Sequence, residues 1–369
     1  MEYLIIWVII AFCAIRHSFS SKNTVKLQLI FILIYTTLLF GLRYRVGIDT
    51  LNYMTNYQYT PDFENLNIYQ IFDYRFEPLY VILNSLCKSI SSEFYVFQLL
   101  HSLILNVCII LFFYKNTTNP FVGLFFYFFI TGLYFNMEVL RESLAVGIFL
   151  LNFRNLLKHK WLKYYLWVGV SILFHYSAFI LLFFPLALKL KFNIKYILFS
   201  LLYLLLLSPL VNYLIPFVTV DTVVSRLNMY MEYAEGGRLN INWVIYSFVR
   251  LVLFPVFILL LNRYFKVKNE IFEPFVCLHI LLGIGCIFFQ LIFDRFSNYT
   301  IVLFIAYLSI FLSSKYVKCT IVSLVFGVSI LVYSQYYVER YVRWIPYYSI
   351  FNPTRDNYRE LKWQEEFWR

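Results

Sequence analysis

The chain has 369 residues, is 61% hydrophobic and 22% aromatic, and carries only 14% charged residues, with a mean hydropathy of +0.70. A soluble domain is roughly 45–50% apolar and about 25% charged, so this composition excludes an ordinary soluble or disordered chain and leaves the membrane class. The net charge of +11 resides in short basic loops between apolar runs, which is the positive-inside pattern and not a nucleic-acid patch, so no nucleic-acid partner is expected.

In chain order, continuous apolar runs predict helices near 2–15, 25–42, 93–114, 120–136, 138–157, 161–175, 176–190, 196–215, 241–261, 271–293, 299–314 and 319–334. A further run, 77–90, is short for a span and reads as a short or re-entrant segment. The runs are continuous and do not alternate, which excludes a closed barrel; in lipid that leaves only helices. The expected fold class is therefore all-α, a polytopic integral membrane helical bundle of about 12 transmembrane helices. It is read as one membrane-embedded domain over 1–369. The opening Met1-Glu2-Tyr3 lacks a basic n-region, and no small-residue cleavage site follows Leu4–Ile15, so the first run reads as a retained helix.

Loop charges set the orientation. Arg16, Lys22 and Lys26, then Lys158, Lys160 and Lys163, then Lys189, Lys191 and Lys195, then Arg263, Lys266 and Lys268, and finally Lys315 and Lys318 all fall on one side, taken as the cytoplasm. The loops 43–76 and 216–240 and the tail 335–369 then fall outside, provided that 77–114 crosses once. Six cysteines stand singly in or beside apolar runs, without CxxC or Cys/His spacing, so neither a disulfide framework nor a metal site is expected.

Polar residues collect at the outer edges of the runs. Asn136-Met137-Glu138-Val139-Leu140-Arg141-Glu142 places three charges inside apolar sequence, where a charge costs roughly 2.5–3.5 kcal/mol on insertion scales and usually faces a bundle interior or a wet cavity. Glu138 lies three residues before Arg141, so an internal ion pair competes with a functional arginine. Arg43-Tyr44-Arg45-Val46-Gly47-Ile48-Asp49 follows the second run, and its arginines either anchor a helix end or present planar donor forks to phosphate. Glu77 precedes Pro78 at a helix start, as a cap or as a base. His175, in Phe174-His175-Tyr176-Ser177-Ala178, is either hydrogen-bonded structure or a proton relay. Asp221, Arg226 and Tyr230, then Asp294-Arg295-Phe296, and Trp344-Ile345-Pro346-Tyr347-Tyr348 complete the set; each by itself reads as loop or interface anchor.

The ordered set resembles the EpsG family of bacterial exopolysaccharide and O-antigen (Wzy-type) polymerases. The residues that carry the likeness are Leu42–Asp49 with Tyr53, Phe76-Glu77-Pro78-Leu79, Val139–Ala145, Phe174–Ala178, Asp294-Arg295-Phe296 and Ile345-Pro346-Tyr347. Departures are Glu142 where Gln usually follows the arginine, Tyr176 where Pro often follows the histidine, and Ile48-Asp49-Thr50 after the glycine.

The resemblance implies a polymerase on the outer face of the bacterial inner membrane. Its partners would be the bilayer and undecaprenyl-pyrophosphate-linked oligosaccharide, with a chain-length regulator and a flippase of the same pathway. It implies no metal and no cofactor. Arg141, Arg295 and Arg45 are then expected at the pyrophosphate, and one of His175, Glu77 or Asp49 as the base that activates the acceptor hydroxyl. Tyr53, Arg226, Tyr230 and Tyr347 are expected at the glycan. An O-antigen ligase and a lipid-linked oligosaccharide flippase or transporter are the competing readings.

Overall fold

The computed structural model describes residues 2–73, 76–193, 195, 241–267, 269–288, 290–314, 325–327, 329 and 343–367. The expected segments 196–215 and 216–240, with Asp221, Arg226 and Tyr230, lie outside the described residues, as do most of 319–334 and the start of the tail. Among the described residues the regular structure is helical, with two isolated β-bridges and no strand. The chain forms two compact units, Met1–Phe179 with Leu312–Arg369, and Ile180–Phe311.

The first unit contains α1 (Glu2–Arg16), α2 (Lys22–Gly41), α3 (Ile48–Tyr59), α4 (Ile68–Asp73), α5 (Pro78–Ile90), α6 (Tyr95–Asn116), α7 (Pro120–Tyr127), α8 (Leu133–Met137), α9 (Leu140–Leu157) and α10 (Trp161–Phe174). A π-helical turn, Phe128–Gly132, joins α7 to α8. Helix starts follow local chemistry. Ser21 Oγ accepts from the Thr24 N–H at 3.2 Å to open α2, and Asn119 Oδ1 accepts from the Phe121 N–H at 3.1 Å to open α7 at Pro120.

Helix α6 is the hub and packs against α2, α5, α7 and α9. The approach of α2 requires Gly41, since a Cβ there would stand 2.7 Å from the Leu99 Cα. Buried Phe97, Leu105, Ile109, Phe112 and Phe113 of α6 supply much of the core.

Six helical segments are long and apolar enough to cross a membrane: Glu2–Phe19, Lys22–Gly41, Tyr95–Asn116, Pro120–Met137, Ile245–Tyr264 and Ile292–Leu312. They make this a helical membrane protein; among the described residues the count is six, beside the about 12 expected from apolar runs. Several expected runs form shorter elements. The run 77–90 is a helix of 13 residues and 161–175 one of 14. The run 176–190 begins as a 3₁₀ stretch, Tyr176–Phe183. The expected helix 138–157 starts later, at Leu140: Val139 leaves the helical region at φ −93°, ψ 57°, which separates α8 from α9.

The tail is built against the segment that follows α2. The Tyr44 N–H donates to the Tyr348 carbonyl at 2.8 Å, the Gly47 N–H to the Arg343 carbonyl at 2.9 Å, and the Ile350 N–H to the Leu42 carbonyl at 2.9 Å. A C-terminal helix, Asn357–Phe367, then packs on α3.

The second unit contains helices Ile241–Phe248, Phe254–Tyr264, Glu273–Phe288 and Gln290–Leu312, the last ending at the unit boundary. His279 Nδ1 lies 2.8 Å from Thr300 Oγ1, and Asn269 donates to the Tyr307 carbonyl at 3.0 Å.

Candidate active site

Glu77 is the N-cap residue of α5, but its side chain makes no cap hydrogen bond. Pro78 at the first helical position has no N–H to satisfy, so the carboxylate turns away from the helix. Its Oε2 accepts from Arg141 Nη1, and its Oε1 lies 2.8 Å from His175 Nδ1 and accepts from the Tyr176 N–H at 3.3 Å. Three sequence-remote segments thus meet at one buried carboxylate. Burial raises the Glu77 pKa, but the His175 hydrogen bond and the Arg141 charge outweigh it and hold the group at about 2. So depressed a carboxylate is a poor proton acceptor near neutral pH.

His175 follows α10 in an extended conformation, φ −160°, ψ 127°, and its N–H donates to the Ser171 carbonyl at 3.0 Å. Because ionised Glu77 can only accept, Nδ1 carries the hydrogen and Nε2 is the nitrogen able to take a proton. Nε2 lies 3.9 Å from Glu142 Oε2.

Arg141, in the first turn of α9, retains 20% side-chain exposure where Glu77 retains 3%. Its guanidinium lies over the Phe76 ring at 4.4 Å and beside that of Tyr53 at 6.0 Å. Nε is buried without an acceptor among the described residues. Tyr53 is itself buried and packs on Phe76 and Tyr80, so it serves as the wall behind the arginine.

The local alternative, a Glu138–Arg141 pair, is not what forms. The break at Val139 puts the two residues on different helical segments. Glu138 instead turns to the start of α3, where its carboxylate accepts from the Asp49 N–H at 2.8 Å, the Ile48 N–H at 3.3 Å and Trp344 Nε1 at 2.8 Å. Asp49 therefore lies beside a second buried carboxylate, in the first turn of α3.

Other expected site residues have different surroundings. Arg45 adopts φ 52° and forms a bidentate pair with Glu360, Nε to Oε1 at 2.5 Å and Nη2 to Oε2 at 2.6 Å. Tyr347 donates to the Leu39 carbonyl at 2.8 Å and stands edge-on to Tyr3. Arg295 lies on the helix Gln290–Leu312 of the second unit, next to Asp294, which pairs with Arg250 at 3.4 Å. Arg226 and Tyr230 fall outside the described residues.

A family model, the EpsG family, matches residues 26–349. The chain belongs to the EpsG family. No curated protein and no solved structure matches it. In this EpsG-family chain the match spans every described residue of the Glu77 cluster and ends before the C-terminal helix that holds Arg45.

Two neighbours of the cluster were not among the expected site residues. Glu142 was visible as a charge in an apolar run, yet nothing in the sequence placed it at His175. His101, within the apolar run of α6, is fully buried, and its Nε2 lies 3.0 Å from the Leu140 carbonyl and 3.0 Å from Ser143 Oγ, at the first turn of α9. An ionisable residue in a membrane-spanning run was the signal that could have drawn attention to it.

Proposed function

We propose that this EpsG-family chain is a membrane glycosyltransferase, a polysaccharide polymerase of the bacterial inner membrane working at the outer face. It takes a growing glycan from an undecaprenyl-pyrophosphate donor and adds it to the non-reducing-end hydroxyl of an undecaprenyl-linked repeat unit. The observation that carries this reading is the Glu77 carboxylate joining a histidine and an arginine, in a chain of this family.

The chemistry needs two services, and the cluster supplies both. An acceptor hydroxyl attacks the anomeric carbon, and its proton passes to His175 Nε2 as the new glycosidic bond forms. The bond from the anomeric carbon to the pyrophosphate oxygen breaks, and the electron pair leaves with undecaprenyl pyrophosphate, whose charge the Arg141 guanidinium offsets. Glu77 orients both groups. Of the three candidate bases, His175 is favoured over Glu77 because Glu77 is held as an ion, and over Asp49 because it shares the Glu77 carboxylate with Arg141.

The test is chain lengthening by purified protein from undecaprenyl-pyrophosphate-linked repeat units extracted from cells deleted for it. Such cells should accumulate single repeats. His175→Ala, recovered at wild-type level, should slow lengthening by about 10²–10⁴-fold. Wild-type rates in that variant exclude the assigned base, and full-length polymer in the deleted cells excludes polymerase activity altogether.

A further inference from the structure

Glu77 is only one of two carboxylates at His175. On the other side of the ring, Glu142 Oε2 stands 3.9 Å from Nε2, and Glu142 is 1% exposed. Arg141 and Glu142 are adjacent in the first turn of α9, where the partial positive charge of a helix N-terminus favours an anion. The arginine reaches Glu77, and the glutamate reaches the histidine that Glu77 also holds. Ser177 Oγ donates to Glu142 Oε1 at 3.4 Å, and Ser177 lies in the turn that follows His175. The glutamate and the imidazole are thus fixed to the same short segment.

We propose that Glu142 is a positioning residue for His175, which holds the imidazole from the Nε2 side and stabilises its protonated form as the acceptor hydroxyl gives up its proton. This rests on His175 being the base. Nδ1–H donated to Glu77 fixes the tautomer, and the second carboxyl group stands on the opposite side of the ring. The groups at the ring include Glu77 from the start of α5, Arg141 and Glu142 from α9, and Tyr176 and Ser177 from the following turn. Tyr53 of α3 and Tyr80 of α5 stand behind Arg141 and Glu77. Of these, Glu142 is the carboxyl group on the Nε2 side of the ring.

The experiment measures the pH dependence of lengthening by the full-length protein, with the extracted undecaprenyl-pyrophosphate-linked repeat units as substrate. Removing a negative charge next to Nε2 disfavours imidazolium, so the base is free to act at lower pH. Glu142→Gln should move the acidic limb of the rate profile down by about one pH unit. Glu142→Asp keeps the charge but withdraws it, and should move the limb down by less. If Glu142→Gln does not accumulate in the membrane, the Asp variant alone decides. Limbs that superpose on wild type while His175→Ala is inactive overturn the role of Glu142 and leave the base assignment standing. Full activity in His175→Ala overturns the base assignment and this proposal with it.

Discussion

His175 Nδ1 lies 2.8 Å from Glu77 Oε1, although 98 residues separate the two in the chain. The same carboxylate takes a hydrogen bond from Arg141, so it sets the direction of the imidazole and the guanidinium at once. Each partner bears on how the protein responds to acid and to substitution.

Glu77 should give the fold an acid-sensitive limb. Its pKa is held at about 2, below the ordinary carboxylate value of 4.5, so the folded state is favoured by ionisation. That stability is fully present above the unfolded value, and is lost as pH falls from about 4.5 through about 2. Thermal unfolding of the detergent-solubilised protein should therefore be level from neutral pH to about 5 and decline below it. Glu77→Gln should abolish that limb and cost about 3 kcal/mol at neutral pH, because it leaves Arg141 without its counter-ion. An unchanged acid limb in the variant counts against the ion pair.

Arg141→Gln should reduce chain lengthening by about 10²–10³-fold, the size of effect seen when one donor to a developing anion is removed. Arg141→Lys should recover only part of the loss, because a point charge replaces a planar fork. Steady-state lengthening on purified repeats measures both, and equal rates for wild type and Gln refute the pyrophosphate role.

Arg45 and Glu360 should behave as a structural pair. Each side chain is about one-fifth exposed, so Arg45→Ala and Glu360→Ala should each cost roughly 0.2–1 kcal/mol. The double variant should cost little more than either single change, since both remove one interaction. Lengthening rates should stay within a few-fold of wild type. A large kinetic loss confined to Arg45→Ala would return this arginine to the pyrophosphate.

Glu138→Ala should cost about 2 kcal/mol or more, because it strips the start of α3 of its acceptor and removes the carboxylate to which the Trp344 N–H donates. Trp344→Phe should cost about 1 kcal/mol, and the pair should be non-additive in thermal unfolding. Independent additive losses would show that the two side chains do not act together.

Gly47→Ala should be among the most damaging small changes. The residue sits at φ 101°, and a Cβ would meet the Met137 carbonyl oxygen at 2.5 Å. Strain from φ alone is about 1–2 kcal/mol, and the backbone clash adds to it. Recovery of the variant from membranes and its unfolding temperature report the loss; wild-type stability contradicts the close approach of α3 to α8.

Much was legible without coordinates. Continuous apolar runs and their basic flanks demanded membrane helices, because lipid leaves no other way to satisfy the backbone. Arg141, Glu77 and His175 were conspicuous as polar residues at the edges of those runs, and their order along the chain carried the family resemblance that the match over 26–349 then showed. All of this depends on composition and spacing along one dimension.

Partnership was a different matter. Spacing placed Glu138 within reach of Arg141, but a helix break at Val139 took the two apart, and Glu77, 64 residues away, became the partner instead. Arg45 read as a phosphate ligand, and its pairing with Glu360, on a helix beyond the family match, could not be read from spacing. A charge buried in a membrane protein must find some counter-charge or donor, and the sequence by itself determined that much. Which group answers depends on where helices break, how closely α2 and α6 approach at Gly41, and where the tail lies, and only the tertiary structure decided that.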